Sequence, residues 1–79
     1  MKDFLTFLVT SLVEKPDQVS VQEQTLPEEI TFTISVDKDD MDRIIGKGGK
    51  VIGAIRQLVK IIAIKQGLRV NIQLTEDAH

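Results

Sequence analysis

Three glycines within four positions, Gly46, Gly48 and Gly49, split two stretches of helical hydrophobic spacing, and this break constrains the chain more than any other feature. Upstream, a short helix runs through Ile45, with Asp39 or Asp40 as its cap. Downstream, Val51, Ile55, Leu58, Val59 and Ile62 recur at helical intervals, predicting a long helix from about Lys50 to Gln66, closed by Gly67. A segment that turns so sharply between two helices must place its glycines at an exposed corner, opening onto a helix N-terminus. Such a terminus carries unpaired backbone N–H groups and a partial positive charge, both suited to phosphate. Glycines let a phosphodiester backbone approach closely, and Lys47 and Lys50 add charge there. The same pattern without a ligand would be a tight helical turn.

The spacing excludes the other phosphate loops. A Walker A loop needs glycine five residues before its Gly-Lys pair, where Ile44 stands, and Ser or Thr after Lys50, where Val51 stands. A dinucleotide fingerprint starting at Gly46 would need glycine at Val51 and a preceding strand.

Around this corner the remaining elements follow from periodicity. Phe4, Leu5, Leu8, Val9 and Leu12 give an amphipathic helix over residues 3–15, stopped by Pro16. Val19 and Val21 suggest a first strand. Ile30, Phe32, Ile34 and Val36 alternate with Thr31, Thr33 and Ser35, the clearest strand in the chain. Leu68, Val70, Ile72 and Leu74 alternate with Arg69, Asn71 and Gln73 as a third. The order is α-β-β-α-α-β, an α+β fold with three helices on one face of a three-stranded sheet and a hydroxyl and amide face toward solvent. Seventy-nine residues form a single domain, 1–79.

Charge is unevenly spread. Residues 1–42 carry Lys2, Lys15 and Lys38 against ten carboxylates, whereas residues 43–69 carry Arg43, Lys47, Lys50, Arg56, Lys60, Lys65 and Arg69 with no acid. The small net charge of −2 hides this split. A basic segment centred on a glycine corner points to a polyanion, although a solvated basic helix would look the same. There is no cysteine, and the one histidine is the terminal His79, so no metal site, cofactor or catalytic constellation is expected. The chain reads as a non-enzyme with no small-molecule substrate. Lys2 and the apolar run from Phe4 to Val13 are too short for a membrane span and lack a cleavage site, so no membrane association is expected.

Ile45-Gly46-Lys47-Gly48-Gly49-Lys50-Val51-Ile52 resembles the I-G-x-x-G-x-x-I signature of the KH domain, whose loop clamps the backbone of about four nucleotides. Pro16-Asp17-Gln18-Val19 after an N-terminal helix, the Asp39-Asp40 helix start and Ala54-Ile55-Arg56 after the loop are similar to the KhpA family of small bacterial single-KH proteins. The resemblance implies a type II KH arrangement, since the extra helix and strand precede the loop at 46–49. It further implies a cytoplasmic protein that binds single-stranded RNA, as a post-transcriptional regulator or RNA chaperone. A homodimer, or pairing with a Jag (KhpB) type partner, is implied as well.

On that reading the RNA-contact residues are Arg43, Ile45, Gly46, Lys47, Gly48, Gly49, Lys50, Ile52 and Arg56, with Lys60 a further basic candidate. Ile44, and Ile34 or Val36, are candidates for an apolar floor under the bases, or else plain core. The absence of Trp and Tyr argues against the aromatic stacking platforms of other single-strand binders. The long helix carries more apolar surface than one sheet covers. Ala54, Ile61 and Ile64 lie off its core face, either against the first helix or as a dimer interface, which leaves a protein–protein adapter as the alternative function.

Overall fold

The computed structural model describes residues 1–76. Its elements are α1 (Lys2–Leu12), β1 (Ser20–Thr25), β2 (Glu29–Val36), α2 (Met41–Ile45), α3 (Lys50–Lys65) and β3 (Arg69–Glu76). Single 3-10 turns occupy Pro16–Gln18, Lys38–Asp40 and Lys47–Gly49. The sheet order is β1-β2-β3. β1 runs antiparallel to β2, and β3 runs parallel to it. Parallel neighbours cannot be joined by a hairpin, so the chain must cross over the sheet between β2 and β3. α2, the glycine loop and α3 form that crossover, which places the loop at the corner between its two helices.

The central strand organises the core. Phe32, Ile34 and Val36 are fully buried, with Val21 of β1 opposite Ile34 and Ile72 of β3 in register with Phe32. Leu5 and Val9 from α1, Ile44 from α2, and Ile52, Ile55, Val59 and Ala63 from α3 cover this face. Burying each of the larger side chains among these contributes about 1.5–3 kcal/mol. The opposite face carries Gln22–Thr33–Gln73 and Gln24–Thr31–Asn71 as cross-strand rows, the polar surface that the alternation predicts.

Three local expectations are corrected by tertiary contacts. α1 ends at Leu12, not near Lys15, and Val13 is already extended. The reason is Asp40, whose carboxylate accepts the backbone N–H groups of Glu14 and Lys15, both at 3.0 Å, and so draws the chain out of the helix before Pro16 is reached. Asp40 stands at the N-cap position of α2, as expected, but its side chain makes no cap hydrogen bond there. The side-chain cap lies one turn earlier, where Asp37 accepts from the Asp39 N–H at 2.9 Å to open the Lys38–Asp40 turn. Lys15 bridges back to Asp39 and Asp37, and these hydrogen bonds, Asp39 first, raise its pKa above the usual lysine value. Leu58, which the periodicity assigns to the core face of α3, is 46% exposed.

α3 closes as expected. Gly67 adopts φ +70°, its N–H bonds the Ile64 carbonyl, and the Leu68 N–H bonds the Ala63 carbonyl at 2.9 Å. This paired closure satisfies two carbonyls at the helix end and turns the chain directly into β3. His79, the residue that would carry any imidazole chemistry, lies outside the described residues.

Candidate nucleic-acid interface

The glycine loop is built from positive φ. Gly46 has φ 74° and ψ 171°, a region open essentially to glycine alone, and Gly48 and Gly49 have φ of 66° and 77°. Gly46 is needed for space as well. A Cβ there would run into Val51 Cγ2 and lie 2.9 Å from the Val51 backbone nitrogen. Gly48 and Gly49 face open space. The loop is tied back by the Gly46 N–H to the Asp42 carbonyl and by the Gly49 N–H to the Gly46 carbonyl.

Gly49 is the N-cap of α3 and offers no side chain to its first turn, which also contains no acidic residue. Lys47 and Lys50 are exposed at this end. Cations are the wrong sign for a helix N-terminus, each costing about 0.3–1 kcal/mol. An anion seated there would take the first-turn N–H groups and offset both lysines.

The structure separates the other predicted residues into distinct groups. Ile45 is half-buried beside the loop, whereas Ile52 is 7% exposed and belongs to the core. Ile34, Val36 and Ile44 are fully buried under the helices, so they act as plain core and form no floor open to a base. Arg43 is engaged on the other side of α2, where its guanidinium pairs with Glu14 and with Asp40 at 3.4 Å. Arg56 reaches across from α3 to β3 and donates to the Ile72 carbonyl at 3.3 Å. Ala54, Ile61 and Ile64 are exposed, and they form with Leu58 an apolar stripe on the outer face of α3, bounded at its C-terminal end by exposed Lys65.

Sequence reasoning did not find the cleft between α3 and the free edge of β3. It encloses about 440 Å³, lined by Arg56, Lys60 and Ile64 on the helix and Arg69 and Asn71 on the strand, among others. The signal was present in the charge count through Arg69, but only the parallel placement of β3 brings that residue beside Lys60. Among the described residues no cluster of His, Cys, Asp or Glu side chains is placed to hold a metal, and no helix is long and apolar enough to cross a membrane.

Comparison with known proteins fits this geometry. A family model described as the KH domain of KhpA/KhpB matches residues 2–74. The chain is 36% identical over 77 residues to the RNA-binding protein KhpA of Chlamydia caviae, covering 98% of this chain and 99% of that protein. It is 38% identical over 74 residues to the RNA-binding protein KhpA of Clostridium perfringens, covering 94% and 99% respectively. Among solved structures it resembles Era from Aquifex aeolicus, with a TM-score of 0.62 and 22% identity, over 95% of this chain but only 29% of Era. It also resembles Era in complex with MgGDPNP and nucleotides 1506–1542 of 16S ribosomal RNA, with a TM-score of 0.63 over the same fractions. The Era likeness concerns the fold alone. The sequence matches span the whole glycine loop and nearly the whole chain, and the protein therefore belongs to the KhpA/KhpB family of non-catalytic KH domains.

Proposed function

We propose that this protein binds single-stranded RNA through the Gly46–Gly49 loop and the N-terminus of α3, as a post-transcriptional regulator or RNA chaperone in the cytoplasm. The observation that carries this reading is the electrostatic arrangement at the loop. A positive-φ glycine corner opens onto an uncapped helix end bearing two exposed lysines and no acid. Family membership, with relatives named as RNA-binding proteins, supports the same reading. Lys47 and Lys50 supply charge to the phosphates, Gly48 and Gly49 allow close backbone approach, and half-buried Ile45 flanks the loop. Ile52 holds the first turn of α3 on the core and so positions the N–H groups. Arg56 spans the α3–β3 cleft. The engagement of Arg43 by Glu14 and Asp40 makes it the least available cation of the set.

The test is a Lys47→Asp, Gly48→Asp double variant, read by fluorescence anisotropy with labelled single-stranded RNA. Carboxylates at these positions would face the phosphates. Asp tolerates left-handed backbone, and Gly48 lies in open space, so the fold should persist. Loss of binding with an unchanged circular dichroism melt is expected. Retained affinity would overturn the reading.

A second reading, an adapter that pairs with its own copy or with a Jag (KhpB) type protein, is supported by the stripe of Ala54, Leu58, Ile61 and Ile64. Ile61 is 57% exposed and Ile64 is 66% exposed. Pairing two such stripes would remove apolar surface that a single chain leaves in water.

A further inference from the structure

β1 is an edge strand. It pairs with β2 on one side, and among the described residues no strand pairs with its other side. The hydrogen-bond phase of this pair follows from the turn between the two strands. There the Leu26 N–H donates to the Glu29 carbonyl at 2.8 Å, so Leu26 and Glu29 begin the ladder as a hydrogen-bonded pair. Such pairs alternate along antiparallel strands. Gln24 with Thr31, Gln22 with Thr33 and Ser20 with Ser35 are therefore the bonded pairs, and their N–H and C=O groups point into the sheet. Val21, Glu23 and Thr25 turn theirs outward, along the free edge. No backbone group from another element among the described residues takes them.

Proteins commonly protect such an edge with lysine, proline or a bulge. β1 has none of these: Ser-Val-Gln-Glu-Gln-Thr pairs with β2 in unbroken register, and every residue except Val21 is exposed. Its one charge is Glu23, opposite Phe32 on the helix-bearing side of the sheet yet exposed at the rim. Residues 16–36 carry Asp17, Glu23, Glu28 and Glu29 with no Lys or Arg. The opposite edge, β3, is bordered by Arg56, Lys60 and Arg69, so the two free edges of the sheet differ in sign. This charge selects the occupant. A second copy of β1, paired about a twofold axis in the register that uses all three outward residues, would set the two Glu23 side chains directly opposite each other. Like charges in that position destabilise a strand pair. The same carboxylate repels phosphates, whereas a Lys or Arg complements it.

We propose that the free edge of β1 docks an extended, basic segment of a protein partner, which joins the sheet as a fourth strand antiparallel to β1. The backbone of Val21, Glu23 and Thr25 supplies the hydrogen bonds, and Glu23 sets the register by meeting a cation on the helix-bearing side. Gln22 and Gln24, on the open face, meet uncharged polar side chains. The inference goes beyond the RNA reading and does not rest on it. β1 shares no residue with the glycine loop and lies two strand spacings, about 10 Å, from β3, so a protein partner and RNA can be held together.

The probe is a capped peptide of about seven residues, alternating Thr and Lys. One control carries Glu in place of Lys, and a second is N-methylated at its Lys amides, which keeps the charge and removes the donors that would face β1. Amide chemical shifts and hydrogen exchange are followed on the whole chain. The Lys peptide should slow exchange at Val21, Glu23 and Thr25 about tenfold at saturation and leave the Gly46–Gly49 amides unshifted. Both controls should bind about tenfold more weakly. Glu23 is exposed, so Glu23→Lys should fold and reverse the preference between the Lys and Glu peptides, and Glu23→Gln should lessen it. Equal binding of the methylated peptide would reduce the contact to charge attraction and overturn the fourth strand. An unchanged preference in both Glu23 variants, or shifts centred on the glycine loop, would do the same. Slow exchange at the three amides in the free protein, growing with protein concentration, would assign the edge to a second copy instead.

Discussion

The Asp40 carboxylate accepts the backbone N–H of Lys15 at 3.0 Å across 25 residues of chain, joining the end of α1 to the start of α2. The other carboxylate oxygen takes the Glu14 N–H, and Arg43 Nε approaches the same group at 3.4 Å. Asp40 is 1% exposed and is the single buried charged residue among the described residues. It replaces the helical continuation that α1 forgoes after Leu12, and it anchors the short helix from which the glycine loop departs.

Asp40→Ala removes the acceptor for two backbone donors and leaves Arg43 with Glu14 alone. Both hydrogen bonds are part-buried, and an orphaned donor costs about 1–3 kcal/mol only where water cannot reach it, so the variant should lose about 2 kcal/mol. That is a large share of the stability of a domain this small. Urea unfolding followed by circular dichroism measures it. A loss below about 1 kcal/mol would show that water replaces the carboxylate without penalty.

The loop glycines should separate by steric demand. Gly46→Ala meets both a glycine-only backbone region and the Val51 side chain, and should cost about 2–4 kcal/mol. Gly48→Ala meets open space and only the left-handed φ, costing about 1 kcal/mol. Thermal melts of the two variants should therefore differ clearly. Equal melting temperatures would mean that Val51 gives way freely.

RNA affinity should depend on salt in proportion to the phosphates met. Lys47 and Lys50, with one or two further cations, predict a slope of log affinity against log salt of roughly −2 to −3. Arg43→Gln should leave that slope nearly unchanged, since Glu14 and Asp40 already hold its guanidinium. Anisotropy titrations across a salt series decide both. A slope near zero would remove the basic face from the binding site.

Ile61→Glu should convert a dimer into a folded monomer. The side chain is exposed in the single chain, so a carboxylate is tolerated there, but it would face its own copy across a twofold axis and be both desolvated and repelled. Light scattering after size exclusion reads the mass. A parent protein that stays monomeric at high concentration would remove the interface.

Local patterns in the chain determined the element order, the central strand from Ile30 to Val36, the extent of α3 and the Gly67 closure. Each rests on contacts within a few residues: side-chain alternation, helical spacing, and backbone freedom at glycine. The loop was legible for the same reason, since Gly46 to Gly49 must turn where two helices meet. Tertiary structure decided what depends on neighbours distant in sequence. Leu58 shares the helical spacing of core residues, yet the arc of α3 that meets the core carries Ile52, Ile55, Val59 and Ala63, and Leu58 is left 46% exposed. Asp40 is the N-cap of α2 by position, but its carboxylate is drawn to the backbone of Glu14 and Lys15 beyond the end of α1, and Asp37 makes the side-chain cap one turn earlier, on Lys38–Asp40. Arg43 belongs to the basic segment by sequence and to an acidic neighbourhood in space. Arg69 and Lys60 come to one cleft only because β3 returns parallel to β2, a pairing set by the handed crossover and by burial of Val70, Ile72 and Leu74 against the core.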